Sequence, residues 1–284
     1  MTQAEKASLL LKLHHRTEPL ILINAWDAAS ACIIEQAGFP AIATSSAAMA
    51  NALGFADGQK LPWPDMVQSI RRVAEAVKLP VTADIEAGFA SSAQHLESSI
   101  EQVLAAGAVG INLEDALPTG GEHGQLYDLQ QQIERINTAR QISARFRIHL
   151  VLNARTDAYW QAGIPPDEAL QRTMERGQAY LKAGADCIFV PGLRNVAHIK
   201  TLLEQWKAPI NILAGPGAPS IRELAELGVR RVSFGSGPHR APMGLLRRIA
   251  EEAKTSGTYT TMTQDAVSYD EMNGLFGRQP SPGK

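Results

Sequence analysis

Short apolar runs separated by longer amphipathic stretches recur along most of the chain. Residues at about 3–15 predict a helix with Leu9, Leu10 and Leu13 on one face, and the run Leu20-Ile21-Leu22-Ile23 predicts a strand ended by Asn24. Asp27 is placed to cap a helix that runs to about Gln36 and closes at Gly38. A second strand, 41–44, stops at Ser45-Ser46, and the next helix is expected only from about Pro64-Asp65. From there strands at about 80–84, 109–114, 148–154, 186–190, 209–213 and 230–234 alternate with helices at about 65–78, 91–106, 126–144, 166–183, 195–206, 219–227 and 240–255. Runs such as Ile148-His149-Leu150-Val151-Leu152 are nearly continuously apolar, as parallel strands covered on both faces are. Eight strands, each followed by a helix and joined by right-handed crossovers, predict an α/β fold of the (β/α)₈ TIM-barrel type. A doubly wound open sheet is the alternative, but no Gly-x-Gly-x-x-Gly follows the first strand to support a dinucleotide site. Residues 1–257 are assigned to the barrel with an extra N-terminal helix. Residues 258–284 are left as a C-terminal helical extension, available to pack on the barrel or on another subunit, with a frayed end from Gly277.

Active sites of such barrels lie at the C-terminal ends of the strands, so the residues that end the strands carry the chemistry. In order these are Asn24, Ser45 and Ser46, Asp84 and Glu86, Glu114 and Asp115, Asn153 with Arg155 and Asp157, and Asn211. If the extended backbone persists past Asp84, alternation places Asp84 and Glu86 on one face, where paired carboxylates call for solvent, a shared proton or a cation. Four acids from two adjacent strand ends, facing Arg155, predict a hard divalent cation and an anionic substrate. Magnesium fits best, with manganese as a substitute, because oxygen ligands are plentiful and no His or Cys cluster offers a zinc-like site. Arg155 is expected to hold a substrate carboxylate with its planar fork, or else to bridge to Asp157 or Glu114. Asp27 reads as a helix cap. The glycines at 215, 217, 235 and 237 follow the seventh and eighth strands, where many barrels bind phosphate. No lysine ends a strand, which argues against Schiff-base chemistry. The 45–63 connection is long, and within it Gly54–Trp63, with Gly54 and Gly58 flanking Asp57, reads as a lid that closes Asp57 over the site.

Composition narrows the partners. A net charge of −2, with basic residues scattered through 284 positions, gives no case for nucleic acid or an anionic membrane. Cys32 and Cys187 sit in apolar surroundings and read as buried thiols in a reducing cytoplasm. With neither a leader pattern nor a long apolar run, the expectation is a cytoplasmic protein acting on a small carboxylate.

The segments Asn24-Ala25-Trp26-Asp27, Thr44-Ser45-Ser46, Gly54-Phe55-Ala56-Asp57, Asp84-Ile85-Glu86-Ala87-Gly88-Phe89, Ile111-Asn112-Leu113-Glu114-Asp115 and Asn153-Ala154-Arg155-Thr156-Asp157 resemble, in the same order, the isocitrate lyase and phosphoenolpyruvate mutase superfamily. The resemblance implies a Mg²⁺ barrel in which Asp84 is the main protein ligand and Asp57, Glu86 and Glu114 complete the shell, largely through water. It also implies that the backbone around Ser45 and Ser46, together with Arg155, holds a 2-oxo acid carboxylate, and that the chain forms a homo-oligomer, dimer or tetramer, by exchanging a C-terminal helix. The carbon–carbon lyases of the superfamily carry a catalytic cysteine loop, and here the same region reads Pro118-Thr119-Gly120-Gly121-Glu122-His123-Gly124, leaving Glu122 or His123 as acid or base. The expected activity is a Mg²⁺-dependent lyase or decarboxylase acting on a 2-oxo or 2-hydroxy acid through a metal-bound pyruvate enolate. The alternatives are phosphonate chemistry, as a mutase or phosphonopyruvate hydrolase, and a non-catalytic 2-oxo acid binder.

Overall fold

The computed structural model describes residues 1–90, 92–118 and 125–277. Helix α1 (Gln3–Leu13) begins in a reciprocal cap between Thr2 and Glu5. It leads to β1 (Leu20–Leu22) and β2 (Asn24–Ala25), two pieces of one extended segment interrupted at Ile23. The chain then alternates: α2 (Ala28–Gln36), β3 (Ile42–Thr44), α3 (Ser46–Ala52), α4 (Trp63–Ala76), β4 (Val81–Asp84), α5 (Ala93–Ala105), β5 (Gly110–Glu114), α6 (Leu129–Phe146) and β6 (Val151–Arg155). A short 3₁₀ turn, Ala158–Trp160, precedes α7 (Pro166–Lys182), β7 (Cys187–Phe189), α8 (Val196–Trp206), β8 (Ile210–Leu213), α9 (Ile221–Leu227), β9 (Arg231–Ser233) and α10 (Gly237–Thr255). All neighbouring strands are parallel, in the order β1-β9-β8-β7-β6-β5-β4-β3-β2. Because β1 pairs with β9 and its continuation β2 pairs with β3, the sheet curls into a TIM-barrel-like ring surrounded by helices.

The core lies mainly between sheet and helices, where α4 sends Met66, Ile70 and Val73 onto the strands. A second apolar cluster closes the N-terminal end of the barrel: Ala7, Leu10 and Leu13 of α1 meet Leu20, Leu22, Ala43, Val109 and Val151 near the strand starts. Each fully buried leucine there contributes roughly 2 kcal/mol of apolar burial. The lumen is therefore sealed at one end and reached from the other.

One local expectation is corrected. Residues 46–52 form α3, with the Ser45 hydroxyl accepting from Ala48 N–H at 3.3 Å, so the connection before α4 is shortened to 53–62. A serine pair after a strand reads as a stop, yet serine is also a preferred helix N-cap. The 258–275 segment forms two short helices, α11 (Thr260–Thr263) and α12 (Tyr269–Gly274). Among the described residues no helix is long and apolar enough to cross a membrane.

Candidate active site

Strand β4 ends at Asp84, and the chain then turns sharply, with Glu86 at φ 50°, Gly88 at φ 77° and Phe89 at φ 51°. Glycine adopts the dihedral at 88 without strain, and a Cβ there would run into the Leu96 side chain. The extended alternation assumed for Asp84 and Glu86 is thus absent. The turn instead brings them together, close enough for the Asp84 charge to act on Glu86. Glu86 Oε2 accepts the Gln59 N–H at 2.7 Å, which ties the 53–62 loop to the barrel mouth. Burial first, then Asp57 and Asp84, push the Glu86 carboxyl up to about 8, against the pull of the Gln59 amide and Arg155.

Asp57 joins the same group. Its side chain keeps contact with solvent, yet partial desolvation and then Asp84 raise its pKa above the ordinary carboxylate range. Asp84 is anchored through one oxygen: its Oδ2 accepts from Ser46 N–H at 3.1 Å and from the Ser46 hydroxyl at 2.8 Å. Its Oδ1 is buried and has no hydrogen-bond partner. Glu114, 8% exposed, is raised well above its usual range by burial, offset by Arg155 and reinforced by Asp157, Asp84 and Glu86.

Arg155 sits at the centre of these acids. Its Nε and Nη2 donate to Asp157 Oδ1 and Oδ2 at 2.6 and 2.8 Å, and its Nη1 lies 2.7 Å from Glu114 Oε2. The guanidinium stays charged, because these carboxylates outweigh its burial. Trp160 covers it with a ring centroid 4.8 Å from Cζ, and Phe189 lies at 5.8 Å. A guanidinium has five N–H donors and the hydrogen bonds to Asp157 use two of them; the Glu114 contact is an ion pair without hydrogen-bond geometry, and Glu114 Oε2 has no hydrogen-bond partner.

Other expected residues fall elsewhere. Asp115 faces away from the acids, against Arg176 and Tyr180, and is corrected from the four-acid group to a structural position. Asp27 caps α2, accepting from Ser30 N–H at 2.7 Å. Asn24 Oδ1 accepts from Phe234 and Gly235 N–H, both at 2.9 Å, so two of the amides after the last strand are filled by the protein itself. Asn211 is fully enclosed in the lumen beside Arg231 and shares no hydrogen bond with the acidic group. Glu122 and His123 lie outside the described residues. Sequence reasoning did not foresee Gln59, Trp160 or Phe189. Phe189 ends β7 opposite Arg155 and was readable as a strand-end residue.

Among the described residues, no three carboxylate, histidine or cysteine side chains converge closely enough to enclose an ion by themselves. The donor set nevertheless suits a hard cation held by few direct ligands, since Asp84 Oδ1 is buried and free while three further carboxyls stand around it.

Residues 10–254 match the family model described as phosphoenolpyruvate phosphomutase. The chain belongs to that family, within the isocitrate lyase/phosphoenolpyruvate mutase superfamily. A solved protein from Burkholderia cenocepacia J2315 with a provisional phosphonomutase label is 38% identical, covering 87% of this chain and 99% of its own, at TM-score 0.83. Oxaloacetate decarboxylase from Pseudomonas fluorescens SBW25 is 29% identical over 77% of this chain and 74% of its own. A solved phosphonopyruvate hydrolase in complex with oxalate and Mg²⁺ is 26% identical, covering 96% of this chain and 95% of its own, at TM-score 0.82. Members of the superfamily are enzymes, and they include lyases, decarboxylases and phosphonomutases.

Proposed function

We propose that the protein is a divalent-cation-dependent carbon–carbon lyase or decarboxylase that passes through the enolate of a 2-oxo acid. The observation that carries this reading is the buried, unpartnered Asp84 Oδ1 among Asp57, Glu86 and Glu114, with Arg155 beside them. Asp84 would hold Mg²⁺ or Mn²⁺ directly, and Asp57, Glu86 and Glu114 would orient its shell. When bound, the cation supplies the Lewis acidity that stabilises negative charge on the substrate's 2-oxo oxygen. Arg155 offers the Nη donors that Asp157 does not use to the substrate carboxylate, while Asp157 fixes the plane of the guanidinium and Glu114 adds an ion pair. Ser46 keeps Asp84 in place. As the carbon–carbon bond breaks, its electron pair moves toward the oxo group, and a proton then restores the 2-oxo acid. Glu122 or His123 is the proposed source of that proton. The aromatic cover of Trp160 and Phe189 keeps water from the guanidinium, so its hydrogen bonds are worth more than in bulk solvent.

The second reading, phosphonate cleavage, is favoured by the likeness to phosphonopyruvate hydrolase. One assay separates the two. The purified protein with Mg²⁺ is offered 2-oxo diacids, 2-hydroxy tricarboxylates and phosphonopyruvate, with pyruvate, CO₂ and inorganic phosphate as readouts. Cation-dependent pyruvate release without phosphate is expected. Phosphate release would select the second reading, and oxalate binding without turnover of any compound would leave a binding protein.

The C-terminal segment is proposed to join subunits in a dimer or tetramer, because Met243 and Leu246 of α10, with Met262, Val267 and Tyr269 beyond it, leave apolar side chains in solvent. Sedimentation as a monomer at micromolar concentration would oppose that assembly.

A further inference from the structure

Below the mouth, the lumen holds a second arginine with the opposite surroundings. Arg231 on β9 is 0% exposed. Its Nη2 donates to Asn112 Oδ1 at 3.1 Å, and its Nη1 faces His14 Nε2 at 3.2 Å. The other ring nitrogen of His14 donates to the Leu10 carbonyl at 2.8 Å, so Nε2 carries the lone pair. Burial, then Arg231 itself, press the His14 pKa down to about 3, and the ring is neutral. Asn112 is neutral as well, and its Oδ1 is shared with Asn153. Among the described residues no carboxylate forms an ion pair with Arg231; of the groups that favour its charge the Cys187 thiol comes first, but burial keeps that thiol protonated, and Asp84 follows. Burial draws the guanidinium down to about 10, still far above neutral pH, so the charge persists. An enclosed charge without a counter-charge is strongly disfavoured.

Further buried polar groups beside it lack partners, and donors are among them. Arg231 Nε has no partner. Asn211 faces Arg231 in the β8–β9 register, is 0% exposed, and has no partner for either amide atom. Ser233, two residues along β9 and therefore on the same face, also leaves its hydroxyl unpartnered. The Nε–H, the Asn211 amide and the Ser233 hydroxyl thus gather on adjacent strands beside one positive charge. Water there would satisfy the amide and the hydroxyl but would leave the charge unbalanced.

We propose that this lumen site binds a small monovalent inorganic anion of the halide class, held by Arg231, Asn211 and Ser233 as a structural counter-ion. The enclosure of all three side chains excludes bulky anions, and the site is distinct from the acidic mouth. The test uses the full chain. Melting temperature is compared in sodium chloride and in sodium gluconate at equal ionic strength, and crystals soaked in sodium bromide are examined by anomalous diffraction. Chloride should raise the melting temperature by roughly 2–4 °C, and a bromide peak should lie beside Arg231 Nε and Asn211. Asn211→Asp supplies a tethered carboxylate, so this variant should fold, lose the bromide peak and melt identically in both salts. Indifference of the wild-type protein to chloride, or the absence of a bromide peak at Arg231, would overturn the proposal. A peak without any change in melting temperature would mark an adventitious ion and overturn it too.

Discussion

Glu114 and Asp115, consecutive at the end of β5, belong to two carboxylate centres that differ in how completely their oxygens are satisfied. Asp115 Oδ1 accepts the Asp157 N–H at 2.9 Å, and its Oδ2 accepts from the Tyr180 hydroxyl at 2.7 Å and from Arg176 at 3.1 Å. Every oxygen of that centre is used by the protein. Burial and Asp157 raise the Asp115 carboxyl, as burial and neighbouring acids raise Glu114, Glu86 and Asp57, so the contrast lies in the hydrogen bonds: at the mouth, Asp84 Oδ1 and Glu114 Oε2 have no hydrogen-bond partner. A closed network of this kind holds the fold, whereas an open one has capacity left for a ligand.

Removing one member from each centre should break the comparison most visibly. Asp84→Ala is expected to lower turnover on the order of a thousandfold, the scale of losing a key electrostatic group, while the melting temperature stays close to wild type. Relief of carboxylate repulsion compensates for the lost Ser46 contacts. Asp115→Ala should do the reverse and lose about 3 kcal/mol of stability in urea unfolding, because the half-buried Arg176 loses its counter-charge and the Tyr180 hydroxyl loses its acceptor. Similar stability losses in both variants would erase the distinction.

Arg155→Lys sharpens the same contrast at smaller scale. Lysine keeps the charge but cannot bridge Asp157, Glu114 and a substrate at once, so oxalate affinity measured calorimetrically with Mg²⁺ should fall by about 2 kcal/mol, roughly 30-fold. An unchanged dissociation constant would make Arg155 a purely structural bridge, like the Asp115–Arg176 pair.

The smallest effect concerns pH. Glu86 titrates at about 8 in the folded protein against an ordinary value of 4.5, so between these limits the folded state holds a proton that the unfolded state has released. Without added cation, stability from this group therefore falls as pH rises through that window. A cation that favours the carboxylate displaces the proton, so its affinity should rise by up to about tenfold per pH unit over the upper part of the window. Mg²⁺ titrations at pH 6.5 and 8 that give equal affinities would remove Glu86 from the cation's surroundings.

The alternation of apolar runs and amphipathic stretches makes the barrel legible in the sequence, and the strand-end rule points to Asp84, Glu86, Glu114 and Arg155. Three features escaped it for physical reasons. The Glu86 turn depends on Leu96 packing against Gly88, a contact from a later helix that local alternation does not encode. Helix α3 hides behind Ser45-Ser46, which ends a strand and caps a helix with equal ease. The pairing of His14 with Arg231 spans 217 residues and exists only because α1 closes the barrel floor. The bridges of Arg155 to Asp157 and Glu114, by contrast, are an expectation of the sequence, since all three residues end neighbouring strands.

The most direct test of an open mouth is a crystal of the full chain soaked with Mn²⁺ and oxalate and examined by anomalous diffraction. The account predicts a manganese peak at ligand distance from Asp84 Oδ1, with oxalate between the ion and Arg155 and with Asp115 still bound to Arg176 and Tyr180. A mouth without manganese at concentrations that support turnover, or manganese placed away from Asp84, would contradict it.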